Sequence, residues 1–197
     1  MDFDSRFDPA AFRESVKTLL GDYAKAFNIP DERHALLRRQ IASGDDIHSR
    51  GTFPGHVTTS AFILDGAGEK ILLIHHRSLG RWLQPGGHYE PPEDLAVSAL
   101  RESLEETGME ELVIDPWHRT SGIPIDIDSH RIPARPERGE PEHWHHDIRY
   151  LVRAQEGAAV HPDLREVHGA AWRDLQELEA VAPQALRNMR KLGLVHP

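Results

Sequence analysis

Two hydrophobic periods divide this chain. In the first fifty residues Phe12, Val16, Leu19, Leu20, Tyr23 and Phe27 recur at spacings of mostly three and four, the stripe of an amphipathic helix. Asp8 is placed to cap that helix and Pro9 suits its first turn. Pro30 and Asp31 open a second helix that carries Ala35, Leu36, Leu37 and Ile41 and stops at Gly44. A stripe this apolar must be covered. Packing on the chain's own core is the expectation; a homodimer face or a substrate lid is the alternative.

After a linker at 45–54 the period falls to two or gives way to short apolar runs. Strands are predicted at 57–64 and 70–75, joined across Asp65-Gly66-Ala67-Gly68. A short strand at 82–84 runs into a Pro85-Gly86-Gly87 turn, and further strands fall at 111–114, 123–127, 147–154 and 170–172. Residues 131–142, rich in Pro, Arg and Glu, lack either period and read as a loop. Asp174 and Pro183 start two C-terminal helices. One helix lies mid-chain: Asp94 caps it, it runs from about 95 to 107, and Gly108 ends it. Strands flanking one central helix, with helices at both ends, make a mixed α/β fold. The simplest division is an N-terminal helical extension, 1–50, and a larger domain, 51–197.

Composition narrows the function. With 197 residues the chain can bury a proper core. A formal net charge of −9 argues against a nucleic-acid polymer as the main partner, but not against a small anion, since bound metal inverts the local field. There is no cysteine, hence no thiol nucleophile, disulfide or zinc–thiolate site. The opening MDFDSRFDPAAF is acidic and lacks an apolar targeting core, and no apolar run approaches membrane-spanning length. A cytoplasmic protein with no membrane partner is the expectation.

The mid-chain helix carries the chemistry. At 100° per residue Glu102, Glu105 and Glu106 share an arc of ~100°. Ala96, Val97, Leu100 and Leu104 fall on the opposite, packing face. Three acids at this spacing repel one another, and Arg101 is the one local cation. Either the face is simply solvated, or a hard divalent cation with a preference for oxygen ligands relieves it.

The wider spacing is Gly87, five residues, Glu93, seven residues, then Arg101-Glu102-Ser103-Leu104-Glu105-Glu106-Thr107-Gly108-Met109. This resembles the Nudix box of the Nudix hydrolases, Gly-x5-Glu-x7-Arg-Glu-U-x-Glu-Glu-x-Gly-U, with U a bulky apolar residue. Every fixed position matches; the first U is Ser103, a departure that bears on packing, which Leu104 beside it is expected to take over. The likeness extends to Trp82-Leu83-Gln84-Pro85-Gly86-Gly87 and loosely over 56–175, leaving out the first fifty residues. It implies a Nudix-type α/β/α sandwich with a mixed sheet. It also implies a Mg2+ (or Mn2+) ion held by Glu102, Glu105, Glu106 and the Gly86 carbonyl. Glu93 would join through water or by contact with the ligands, from the loop ahead of the helix. Arg101 would orient Glu105. Glu105 or Glu106 would be the base, with Glu166 an outside candidate.

The implied activity is hydrolysis of the pyrophosphate linkage of a nucleoside diphosphate joined to another moiety: ADP-ribose, a nucleotide sugar or a nucleoside triphosphate. Pro124, fifteen residues after Met109, resembles a proline marker of ADP-ribose pyrophosphatases, but lacks their glycine loop. A non-catalytic nucleotide-binding or regulatory module of the same fold is the alternative. The intact set Glu93, Arg101, Glu102, Glu105 and Glu106 speaks against it. An isopentenyl-diphosphate isomerase-like enzyme leans on a catalytic cysteine, which is missing.

Outside the box, Arg77 at a strand end and Trp82 beside the glycines are candidates for contact with phosphate and with a base or sugar. Of fourteen histidines, several cluster in His143-Trp144-His145-His146. In a strand His145 and His146 point to opposite faces, which favours histidines near the site mouth over a transition-metal site.

Overall fold

In the computed structural model the described residues are 7–165 and 167–196; residues 1–6, Pro197 and the candidate base Glu166 lie outside them. Helix α1, Pro9–Phe27, is capped as expected, Asp8 accepting from the Ala10 N–H at 2.8 Å. A short 3-10 turn, Asp31–His34, leads into α2, Ala35–Ser43, which ends at Gly44 in the left-handed region. The stripe is covered by the chain itself. Phe12, Val16, Leu20, Tyr23 and Phe27 are buried in one apolar cluster with strand residues such as Phe62, Leu72 and Leu151. The buried Tyr23 hydroxyl donates to Asp126 at 2.8 Å.

The sheet is mixed and has eight strands. Its organising strand is β1, Gly55–Leu64, buried at every residue. It is joined by β2, Lys70–His76; β3, Arg81–Leu83; β4, Gly86–His88; β5, Leu112–Ile114; β6, Asp126–Ile132; β7, His143–Ala154; and β8, Val167–Asp174. The main path is β3-β2-β1-β7-β5; β4 pairs with β1, β6 with β7 and β8 with β2. The β1–β7 pair is parallel over ten residues, from Gly55 opposite Trp144 to Leu64 opposite Arg153. The β1–β2 hairpin closes where Asp65 accepts the N–H groups of Glu69 and Lys70.

Helix α3, Leu95–Thr107, lies against β1 and β4 and keeps both expected ends: Asp94 accepts from the Ala96 N–H at 2.8 Å, and Gly108 has φ +60°. Helices α4, Pro116–Ser121, α5, Leu178–Val181, and α6, Pro183–Lys191, complete the chain. No helix among the described residues is long and apolar enough to cross a membrane.

Several expectations are corrected. Gly86–His88 is not a turn but strand β4, with Gly86 opposite Ser60. The strand expected at 123–127 begins three residues later, because Pro124 offers no N–H to a ladder. It continues into the supposed loop as far as Ile132, where Ser129–Ile132 pair with His143–His146. Helix α4 was not foreseen. On α3 the packing face is rotated: Ser98, Ala99, Ser103, Glu106 and Thr107 are buried, while Val97 is exposed and Leu100 and Leu104 are half-buried. Small residues let the helix approach β1 closely, and the Thr59 hydroxyl donates to Ser98 at 3.0 Å. Ser103, the departure from the box pattern, is fully buried and donates to the Ala99 carbonyl at 2.8 Å, so its hydroxyl is satisfied.

Candidate active site

The three acids of α3 differ in environment. Glu105 is 57% exposed and Glu102 13%. Glu106 is buried and accepts the Gly86 N–H at 2.8 Å. One guanidinium ties the set together. Arg101 reaches Glu93 through Nε at 3.1 Å and, through Nη1, Glu102 at 3.0 Å and Glu105 at 3.2 Å. Glu93 does sit in the loop ahead of the helix, where only such a contact brings it to the site. Arg101 thus pairs with three of the four carboxylates of this wall. Burial pushes the Glu102 carboxyl up to about 7; Arg101 opposes this, while Glu105 and Glu90 add to it. A crowded, partly buried, all-oxygen donor set of this kind fits a hard divalent cation.

The two glycines of β4 face different neighbours. A Cβ on Gly87 would run into the Glu102 carboxylate, and one on Gly86 would meet the Ser60 side chain and, at 2.6 Å, the Thr59 carbonyl oxygen. Strand β4 can therefore lie this close to β1 only with glycine at 86, while at 87 an added Cβ would displace the Glu102 carboxylate.

This wall borders an open cavity of about 830 Å3. His56, Thr58 and Ser60, alternate residues of β1, line another part of it. Ser60 and Thr58 donate to the buried Asp147 at 2.7 and 3.3 Å, and Arg149 donates to the same carboxylate at 2.8 Å. His88, His130, His143 and His145 extend that wall, and Arg50, Arg77, Arg135 and Arg165 also border the cavity. Burial, aided by repulsion from neighbouring histidines and Arg50, drives His88 down to about 4; burial and the surrounding histidines drive His145 down to about 2. These rings are neutral at pH 7.

The structure thus brings Gly86, Arg101, Glu102, Glu105, Glu106 and Arg77 to one cavity, Arg77 also donating to the Leu164 carbonyl at 2.8 Å. Trp82 is not among the lining residues: Arg173 lies over its ring at 4.3 Å, and His75, opposite it in the sheet, is 5.1 Å away. The histidine run is strand from its first residue. His145 and His146 do point apart, His146 bonding Ser129 and Gln40 at 2.8 Å each. The opposite-face argument overlooked that His143 and His145, two apart, share the cavity face, and that the parallel pairing sets His56 beside His145. In 56–60 and 143–147 the polar residues do not alternate, Thr59 and His146 being polar too, so no local period marks the shared face.

A model of the NUDIX domain family matches residues 54–192, which take in every strand and α3 to α6 but not α1 and α2. The chain is 32% identical over 182 residues to the m7GpppN-mRNA hydrolase NUDT17 of Danio rerio, covering 85% of this chain and 59% of that protein. Against NUDT17 of Bos taurus it is 30% identical over 148 residues, covering 70% and 47%. A probable DHNTP pyrophosphohydrolase of Lactococcus lactis subsp. cremoris (strain MG1363) is 29% identical over 120 residues, covering 61% and 68%. The chain spans about half the length of the NUDT17 relatives. Among solved structures, a C. elegans Ap4A hydrolase binary complex aligns with a TM-score of 0.51 at 19% identity, covering 70% of this chain and 97% of that one, a likeness of fold. The match over 54–192 and the complete run of fixed box residues agree: the chain belongs to the Nudix hydrolase family.

Proposed function

We propose that this protein is a divalent-cation-dependent pyrophosphohydrolase that cleaves the phosphoanhydride of a nucleoside diphosphate linked to another moiety. One observation carries the reading: the acids Glu102, Glu105 and Glu106 converge on a cavity that arginines also border. Glu102, Glu105, Glu106 and the Gly86 carbonyl would hold Mg2+ or Mn2+. Bound there, the ion would neutralise phosphate charge and make water more acidic. Arg101 positions Glu102 and Glu105 and is itself anchored by Glu93. Glu105, the most exposed of the acids, is the better placed to take a proton from water, whereas Glu106, fixed by the Gly86 N–H, is the better held ligand. Arg77 and Arg135 meet the outer phosphates.

ADP-ribose, nucleotide sugars and nucleoside triphosphates remain candidate substrates; Pro124 is buried and is not a lining residue of the cavity. The NUDT17 relatives are named for m7GpppN-mRNA, and a cap dinucleotide is of the same class: a nucleoside joined through a phosphate chain to a second moiety. The net charge of −9 favours such a small molecule over the body of an RNA. The test is a product-resolved screen of these compounds, cap dinucleotide included, with Mg2+ or Mn2+. Cation-dependent cleavage that Glu106→Gln removes is expected. Tight binding without turnover, unchanged in Glu106→Gln, would instead establish the non-catalytic binding module.

A further inference from the structure

The histidine wall plays no part in the reaction above, yet three of its rings converge. One ring nitrogen from each of His56, His143 and His145 lies within 4.8 Å of the others. The His143 and His145 Nε2 atoms are 3.3 Å apart. Backbone carbonyls decide the tautomer of two of them. A carbonyl only accepts, so His56 Nδ1, 3.2 Å from the Thr52 carbonyl, and His143 Nδ1, 2.8 Å from the Pro141 carbonyl, carry the proton. In this tautomer each neutral imidazole would offer its lone pair at Nε2. Among the described residues His56 Nε2 is buried without a hydrogen-bond partner, a cost to the fold unless something occupies it.

An Nδ1–H held by a backbone carbonyl is also the arrangement that orients metal-ligating imidazoles. A tetrahedral ion with M–N bonds of about 2.0–2.1 Å sets its ligand nitrogens about 3.3 Å apart, the separation found between His143 and His145. Neutral nitrogen donors suit borderline transition metals and not Mg2+ or Ca2+.

We propose that His56, His143 and His145 bind one transition-metal ion of the Zn2+ class, at a site separate from the α3 carboxylates but in the same cavity. Three protein ligands leave one tetrahedral position to an oxygen from the cavity, from water or an anionic substrate group. The rings of His88 and His130, 5.3 and 5.7 Å from His145, close around the site.

Metal-free full-length protein is titrated with Co2+, a coloured stand-in for Zn2+, in excess Mg2+. One equivalent should bind with the intense visible bands of four-coordinate cobalt, and Zn2+ should displace it. The bands should survive Glu106→Gln. Each of His56→Asn, His143→Asn and His145→Gln should abolish them and weaken Zn2+ binding by more than about 100-fold, since loss of a mere orienting partner costs 10–100-fold. Circular dichroism checks each variant; His145 is only half-buried, so His145→Gln decides if the other two unfold. Weak six-coordinate bands, absence of binding, or a signal indifferent to all folded histidine variants would overturn the proposal. A signal lost in Glu106→Gln but kept in the histidine variants would do so too, by placing the ion on the carboxylates. Turnover is not among these readouts, so the outcome is independent of the proposed hydrolysis.

Discussion

The two walls of the cavity are built by different means. The carboxylate wall comes from one helix, where residues three and four apart are neighbours by pitch alone. The histidine wall comes from β1, β4, β6 and β7 and exists only because His56 is paired with His145, His130 with His145 and Thr58 with His88. The first wall holds hard oxygen donors, with Arg101 paired to Glu93, Glu102 and Glu105. The second holds nitrogen donors, of which burial pushes His88 and His145 toward the neutral form. Proximity on a helix sets like charges side by side, with Arg101 relieving part of their repulsion; assembly from buried strands disfavours charge at His88 and His145. The same cavity therefore has one wall of oxygen donors and one of nitrogen donors.

The largest effect should come from the first wall. Glu106→Gln removes a charge but keeps a carbonyl oxygen to accept the Gly86 N–H, so the fold should hold. Removing a charge-stabilising group of this kind lowers kcat by on the order of 10²–10³. Near-wild-type kcat would place the chemistry elsewhere in the cavity.

A histidine outside the cavity shows what burial does when no metal is proposed nearby. His34 is buried, both its ring nitrogens lack hydrogen-bond partners among the described residues, and burial, with repulsion from Arg33 and Arg38, drives it down to about 4; Asp128 attracts it, and the Tyr23 ring stands edge-on at 6.0 Å. The folded state then binds fewer protons than the unfolded state between pH 6.5 and 4, so stability is fully present above about 6.5 and falls as pH drops. The loss amounts to roughly 3 kcal/mol by pH 4. His34→Leu should flatten that part of the urea stability profile relative to wild type, leaving the contribution of the cluster. Parallel profiles for the two proteins would show that His34 does not titrate this way.

Next come the glycines between the walls. Gly86→Ala sets a methyl against Ser60 and the Thr59 backbone, an overpacking that costs about 1–3 kcal/mol of stability. Gly87→Ala instead meets the tip of the Glu102 side chain, which can swing aside. It should leave the melting temperature nearly unchanged and lower kcat by up to about 10²-fold through a displaced ligand. Equal losses of stability in both would mean that the two glycines serve the fold alike.

How much of this was legible follows the same division. Both ends of α3, its acid face, the N-terminal stripe and the β1–β2 hairpin obey local rules, so residues such as Asp94, Gly108, Phe12 and Asp65 announced them. The start of β7 was hidden because its first residues are histidine, tryptophan and aspartate, which carry no apolar period. Further along, Arg149 is buried by ion pairs to Asp126, Asp128 and Asp147 at 2.8–3.1 Å, a partnership no local pattern displays. The histidine wall needed the strand order, and Trp82 needed the knowledge that Arg173 covers it. On α3 the leucines drew attention to the wrong face, because close approach to β1 favours Ser98, Ala99 and Ser103.

The smallest effect tests that rotated face. If Leu100 and Val97 formed the packing side, Leu100→Ala would cost about 2–5 kcal/mol. Leu100 is only half-buried, at the margin of the core, and Val97 is 47% exposed. Truncating Leu100 removes part of a side chain's apolar contact at a place where solvent fills the gap, so no sealed void remains to add to the loss. About 1 kcal/mol is expected, from the area term alone. Val97→Ala should fall within about 0.5 kcal/mol of wild type, loss of a little apolar contact being offset by the better helix propensity of alanine. Both variants should keep wild-type kcat, because neither side chain borders the cavity. Chemical denaturation of the two proteins decides it: a Leu100→Ala loss above about 2 kcal/mol would return α3 to the orientation its leucines suggest.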